Sequence, residues 1–254
     1  MTVAKKIYLS PAAHAVDNAT ACPGNCSENT HCNAYMDVLE KRLKELGFAV
    51  MRGDASLTGE KAMKTRVTEA NRWGADLYYV AHTNAGGGRY SMTMCWPNPD
   101  SRMKAGAIHR YRQCLPTHKV VDNSTLYEIR QTAMTCLYDE LFFHDNAADC
   151  AWFHREGMQK LAEETAQAFC TLLGVTYRLP GTAPVKTAPR AGDKVTLQKG
   201  RLYLTARGSA YVTRTGSFYL YDGIKVGNRY RVTNRPDRVG KTPVALYVSG
   251  WVTL

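Results

Sequence analysis

Two histidines and two glutamates stand apart in the sequence yet are of the types that bind a metal and move a proton. They are His14, Glu28, His82 and Glu140. A His/Glu/His set with a fourth position left to water is the donor pattern of a catalytic zinc site, whereas structural zinc sites close all four positions with protein ligands. A further carboxylate beside such a site can take a proton from the attacking water and return it to a leaving group. Spacing alone does not impose the set. There is no H-E-x-x-H, and the four residues are far apart, so only a fold that gathers strand ends can assemble them.

The segment DLYYVAHTNAGGG, residues 76–88, is the one around which the rest is arranged. Leu77 to Ala81 is a short apolar run of the kind found in strands buried on both faces. It is expected to end at His82, followed by Asn84 and three glycines. Open α/β sheets bind ligands beyond the carboxyl ends of their strands, so His82 is read either as a ligand or as a histidine fixing a loop. Residues 6–11 form an earlier strand, with His14 just past it. Ser27 is set to cap a helix whose apolar face carries Met36, Leu39, Leu43 and Leu46, with Gly47 as its stop. A strand at 48–52, a helix at 58–73, a strand at 92–96 and a helix at 101–115 follow. Residues 126–129 are expected to be short and extended, and 136–143 a strand carrying Asp139 and Glu140. Residues 148–173 form a closing helix, interrupted near Gly157. Alternation of strand and helix implies a twisted, mostly parallel sheet flanked by helices.

The Cys-free C-terminal third differs in character. The formal charge is +11, and residues 181–254 hold 13 Lys/Arg against 3 Asp/Glu, a net of +10. Pro, Ala and Gly dominate residues 181–192, which read as a linker. Beyond it five short alternating segments, rich in Tyr, predict a small all-β module of SH3-like size. Domain limits of 1–176, 177–191 and 192–254 are expected. A basic module suits a polyanion, but no RNP or helix-turn-helix pattern supports nucleic acid. No run is long enough for stable membrane insertion, and an apolar leader is missing from the first residues. Synthesis in the cytoplasm is therefore expected. The eight cysteines are expected to be free thiols. The cluster Cys22, Cys26, His31 and Cys32 is a weak match to a structural zinc site, because the C-x3-C lacks a second pair.

Residues 5–174 resemble the zinc-dependent N-acetylmuramoyl-L-alanine amidases of the amidase-3 family, as found in autolysins and phage endolysins. The resemblance rests on a strand leading to His14 and then Asp17-Asn18, on Glu28 before the first helix, on EANRWGADLYYVAHTNAGGG (69–88), and on LYDELFFHDNAADCAWF (137–153). It implies Zn2+ held by His14, Glu28 and His82, and Glu140 as catalytic acid/base, with Asp139 and Glu128 as rivals. Asn84 and His144 are candidates for substrate contact. Ala13 stands where the family's first ligand is preceded by glycine. The implied reaction is hydrolysis of the amide between N-acetylmuramic acid and L-alanine in bacterial peptidoglycan. The basic module, which more loosely resembles endolysin wall-binding domains, would hold anionic cell-wall polymers. The expected setting is phage lysis, with release to the wall after synthesis in the host. Alternatives are another zinc-dependent wall peptidase or carboxypeptidase on the same scaffold, or a non-enzymatic polyanion-binding protein.

Overall fold

A computed structural model describes residues 4–22, 26–180 and 189–254, which fall into two compact units, 4–180 and 189–254. The larger is a six-stranded sheet with helices on both faces. Its strands are β1 (Lys6–Pro11), β2 (Ala49–Arg52), β3 (Leu77–Asn84), β4 (Ser91–Cys95), β5 (His118–Asp122) and β6 (Cys136–Phe143), in the order β2-β1-β3-β6-β4-β5. All neighbours are parallel except β4 and β6.

The strand period of two divides the core between the faces. Ile7, Leu9, Tyr79, Ala81 and Leu137 pack beneath α1 (Glu28–Leu46) and the later helices. Tyr8, Tyr78, Val80 and Tyr138 face α2 (Gly59–Trp73), whose Val67 and Ala70 meet them. Helix α1 starts where the Ser27 hydroxyl accepts a hydrogen bond from the Thr30 amide, and stops at Gly47 with φ 94°, a left-handed turn that glycine adopts without steric cost. Helix α3 spans Pro99–Tyr111.

Several expectations shift. β3 does not stop at His82 but continues to Asn84, so His82 lies within the strand. Residues 127–131 form a short helix, α4 (Tyr127–Gln131), where an extended segment was expected; Asn123 Oδ1 accepts from the Thr125 and Leu126 amides and turns the chain into it. The edge strand β5 is additional. The closing helix is α5 (Ala147–Trp152) and α6 (Met158–Leu173) joined by one π-helical turn, Phe153–Gly157.

The expected free thiols need one correction: Cys22 and Cys150 form a disulfide, and the other six cysteines are free. The pairing joins residues 128 apart, which only the fold brings together. Of the expected linker, residues 181–188 lie outside the described residues. Tyr177 donates to Glu163, and the Arg178 carbonyl accepts from Arg42, so these two pack on the α/β unit.

In the smaller unit β7 (Lys194–Tyr203), β8 (Tyr211–Val226), β9 (Arg229–Thr233) and β10 (Gly250–Val252) close into a barrel in the order β10-β7-β8-β9. The first two expected segments are a single strand, bulged between Leu197 and Gly200. The last expected segment, residues 245–254, begins instead in a helical turn, α7 (Val244–Tyr247). Leu202, Phe218, Leu220, Val232 and Val252 fill the barrel. Among the described residues no helix is long and apolar enough to cross a membrane.

Candidate active site

The sheet register assembles the site. His82 on β3 pairs with Glu140 on β6, which sets an imidazole and a carboxyl side by side on the face of Tyr138. The His82 ring stacks on Tyr138 at 4.7 Å. Immediately after, two steps along β3 match three along β6. This bulge shifts the alternation, so that Phe142 turns into the opposite core against Phe153. His14 lies in the turn beyond β1. Asn29 fixes it from α1: the His14 amide donates to Asn29 Oδ1 at 2.9 Å and Asn29 Nδ2 donates to the His14 carbonyl at 3.0 Å. Glu28, the first residue of α1, is buried with 2 % exposure.

His14, Glu28 and His82 each offer one ligand atom within 4.8 Å of the others. Glu28 Oε1 lies 2.9 Å from His82 Nδ1 and accepts from the Thr83 amide at 3.0 Å. Its Oε2 accepts from Asn18 Nδ2 at 2.6 Å and lies 3.1 Å from His14 Nε2. Burial opposes the Glu28 charge, but the His14 and His82 imidazoles placed against its two oxygens outweigh it and hold the carboxyl well below the usual range. The Glu28 carboxylate beside it raises His14 above the ordinary imidazole value. Despite its nearness, His14 Nε2 is buried without an aligned hydrogen bond. Two imidazoles and a carboxylate with an orphaned nitrogen turned inward match the donors of a zinc ion.

Glu140 borders the same cleft, of about 390 Å³, with His14, Asn18, Glu28, His82, Thr83, Asn84, Tyr138 and His144. Its Oε2 is buried with no hydrogen-bond partner, and burial raises its carboxyl to about 7. The rival acids are engaged elsewhere. Asp139, fully buried on the opposite face, accepts from Tyr79 at 2.8 Å, Thr93 at 3.0 Å and Arg112 at 2.5 Å. Glu128 accepts from Ser10 at 2.6 Å and Tyr78 at 2.7 Å.

His144 is buried and its Nδ1 lies 2.9 Å from the Thr83 hydroxyl. Asn84 Oδ1 accepts from the Ala85 amide, yet the residue borders the cleft. The glycine loop is tied down, because the Gly86 and Gly87 amides donate to Asp145 at 2.7 and 2.9 Å. Gly88 leaves space for the Phe143 ring rather than for a ligand. Asn29, Thr83 and Tyr138 were not singled out in the sequence. Asn29 follows Glu28 directly, and its amide type at a helix start was the available signal.

A second metal-capable cluster, Cys22, His31 and His154, lies outside this cleft. It differs from the group drawn from sequence, since His154 joins while Cys26 and Cys32 do not.

Residues 7–171 match the family model described as N-acetylmuramoyl-L-alanine amidase. No curated protein matches the sequence. Among solved structures, the catalytic domain of CwlV, an N-acetylmuramoyl-L-alanine amidase from Bacillus (Paenibacillus) polymyxa var. colistinus, superposes with a TM-score of 0.60 at 21% identity, covering 67% of this chain and 99% of that one. An N-acetylmuramoyl-L-alanine amidase from Clostridium difficile 630 gives 0.60 at 20%, covering 67% and 97%. The catalytic domain of the CD27L endolysin, which targets Clostridia difficile, gives 0.55 at 18%, covering 68% and 99%. These likenesses concern the fold of the α/β unit.

Proposed function

Because the chain belongs to the N-acetylmuramoyl-L-alanine amidase family, whose substrate is peptidoglycan, we propose that it is a zinc-dependent amidase that hydrolyses the bond between N-acetylmuramic acid and the L-alanine of the stem peptide. The observation that carries this reading is a single cleft in which His14, Glu28 and His82 converge and the Glu140 carboxyl stands without a partner.

His14, Glu28 and His82 would hold the zinc ion. When bound there, zinc supplies Lewis-acid polarisation of an amide carbonyl and acidification of a water molecule. Asn18 and Thr83 orient the Glu28 carboxylate, Asn29 orients the backbone of His14, and Tyr138 fixes the plane of the His82 ring. Such support holds ligands in a productive geometry. Glu140 takes the proton of the attacking water and passes it to the departing L-alanine nitrogen. A carboxyl near 7 is suited to both transfers at neutral pH. The buried pairing of Asp139 with Arg112 favours Glu140 over Asp139 in this role. Asn84 and His144 border the cleft as substrate contacts.

The basic barrel is assigned to wall retention, as an SH3-like domain for anionic polymers. Arg201 lies over the exposed Tyr211 ring at 4.6 Å, giving a cationic and an aromatic group for phosphate and sugar, while Arg229, over Tyr203 at 3.4 Å, is buried and donates to the Thr205 and Gly208 carbonyls. The fold likeness to an endolysin catalytic domain supports a bacteriolytic role in phage release, the enzyme being made in the host cytoplasm and acting on the wall.

Digestion of purified peptidoglycan is the test. The expected products carry new N-terminal L-alanine without new reducing sugar. New amino groups only at other stem residues would instead make the enzyme a peptidase on the same scaffold.

A further inference from the structure

The Cys22–Cys150 disulfide lies beside two imidazoles that the mechanism above does not use. His31 is buried with 1 % exposure on α1. Its Nδ1 lies 3.9 Å from Cys22 Sγ, and its Nε2 faces His154 Nε2 at 3.2 Å. Two nitrogens at about 2.0 Å from one tetrahedral ion lie about 3.3 Å apart, so the two Nε2 atoms have the spacing of co-ligands; His31 would bind through Nε2, and its Nδ1 is the nitrogen that faces Cys22. One ligand atom from each of Cys22, His31 and His154 falls within 4.8 Å of the others. Cys150 is bonded to Cys22 and sits four residues before His154, a separation that puts both on one side of a helix. The π-helical turn begins at Phe153. Such turns recur at functional sites, and this one sets the direction of His154. Rings of Phe142 and Phe153 flank His31 at 5.8 and 5.6 Å and form an apolar wall on the His31 side of the site.

We propose that Cys22, His31, Cys150 and His154 form a second, Cys2His2 metal site that binds zinc when the disulfide is reduced. It shares no residue with the His14, Glu28 and His82 cluster. The site has two states. A dithiol reductant delivers two electrons and two protons to the Cys22–Cys150 bond and leaves as its own disulfide. The S–S bond breaks and two thiols form. Zinc then forms two bonds to sulfur, the two thiol protons pass to solvent, and the two neutral imidazoles complete the tetrahedron. Two thiolates balance the charge of the ion. In a reducing compartment, where disulfides are rare, the metal state would prevail. Either state ties Cys22, which lies between His14 and Glu28 in sequence, to Cys150 on α5.

Cobalt(II) distinguishes the two clusters, because only this one has thiolates. The full-length protein, reduced with a dithiol and freed of metal, is titrated with cobalt(II) and its thiolate-to-cobalt charge-transfer absorption recorded. The expected result is strong absorption, which zinc bleaches, in the reduced protein and none in the oxidised protein. His154→Ala is expected to weaken the apparent affinity by about 10–100-fold or more and Cys22→Ser to abolish the band. His154 is exposed, so its removal leaves the core intact. His82→Ala should leave the band unchanged, so the result does not depend on the amidase reading. Absence of the band in the reduced protein would overturn the proposal. So would a band that His154→Ala and Cys22→Ser leave unaltered, which would mean that other cysteines bind the metal.

Discussion

The two faces of β6 hold adjacent carboxyls in opposite conditions. Asp139 lies on the face beneath α1 and α6, takes hydrogen bonds from Tyr79, Thr93 and Arg112, and is fully buried. Glu140, one residue on, points to the cleft, where one of its oxygens is buried and bonded to nothing. Strand alternation separates them and gives each different surroundings. A buried carboxyl hydrogen-bonded at both oxygens is a structural element whose removal would leave the Arg112 charge uncompensated. A buried carboxyl with an unpaired oxygen and a raised titration point is costly to the fold, and such groups gather where protons are moved.

Substitutions on the cleft face should act on turnover, and those on the core face on stability. The largest effect expected is at the metal cluster. His82→Ala should lose zinc and with it activity, read by metal analysis and peptidoglycan digestion. Glu140→Gln should keep zinc and fold but lower the rate by about 10²–10⁴-fold. Asp139→Asn should leave the Arg112 charge unpaired and cost about 3–5 kcal/mol of unfolding free energy, measurable by denaturant titration, with the remaining folded enzyme active.

A further test is the pH dependence of stability in the metal-free protein. Glu140 titrates near 7 when folded, against an ordinary 4.5. Its neutral form is therefore favoured by folding. The corresponding stability is fully present below about 4.5 and is lost as pH rises to about 7. At about 1.4 kcal/mol per pH unit, this is on the order of 3 kcal/mol. Glu140→Gln should remove that decline, making the variant the more stable protein at pH 8. An unchanged slope would mean that the carboxyl is not held in a low-dielectric cleft. The smallest effect is expected in the barrel. Arg201→Ala removes one cation–aromatic contact worth about 0.5–1 kcal/mol. It should reduce co-sedimentation with cell walls a few-fold while leaving cleavage of soluble fragments unchanged.

Much of this organisation was legible in the sequence. The apolar runs of β1, β3 and β6, the Ser27 cap and the Gly47 stop each carry a local signal that tertiary packing reinforces. β5 carried none, because Val120 and Val121 are exposed on an edge and leave no buried face to read. Residues 127–131 were too short for a helical period. The extension of β3 through His82 depends on its pairing with Glu140 on β6, which no local run encodes. Of the candidate site, the residue types His, Glu and His were visible, but their convergence required the sheet register. The proposed preference for Glu140 over Asp139 rests on the alternation of β6 and the position of Arg112, neither of which a local run encodes. The Cys22–Cys150 pairing and the approach of His154 to His31 span more than a hundred residues, and a lone exposed histidine gives no sign of such a neighbour.

The proposed division of labour is tested most directly by one paired measurement on Glu140→Gln: bound zinc per chain, and release of N-terminal L-alanine from peptidoglycan. The expected result is full zinc occupancy with release reduced by about 10²–10⁴-fold. Release at the parental rate, with zinc in place, would contradict the assignment of Glu140 as the group that carries the proton.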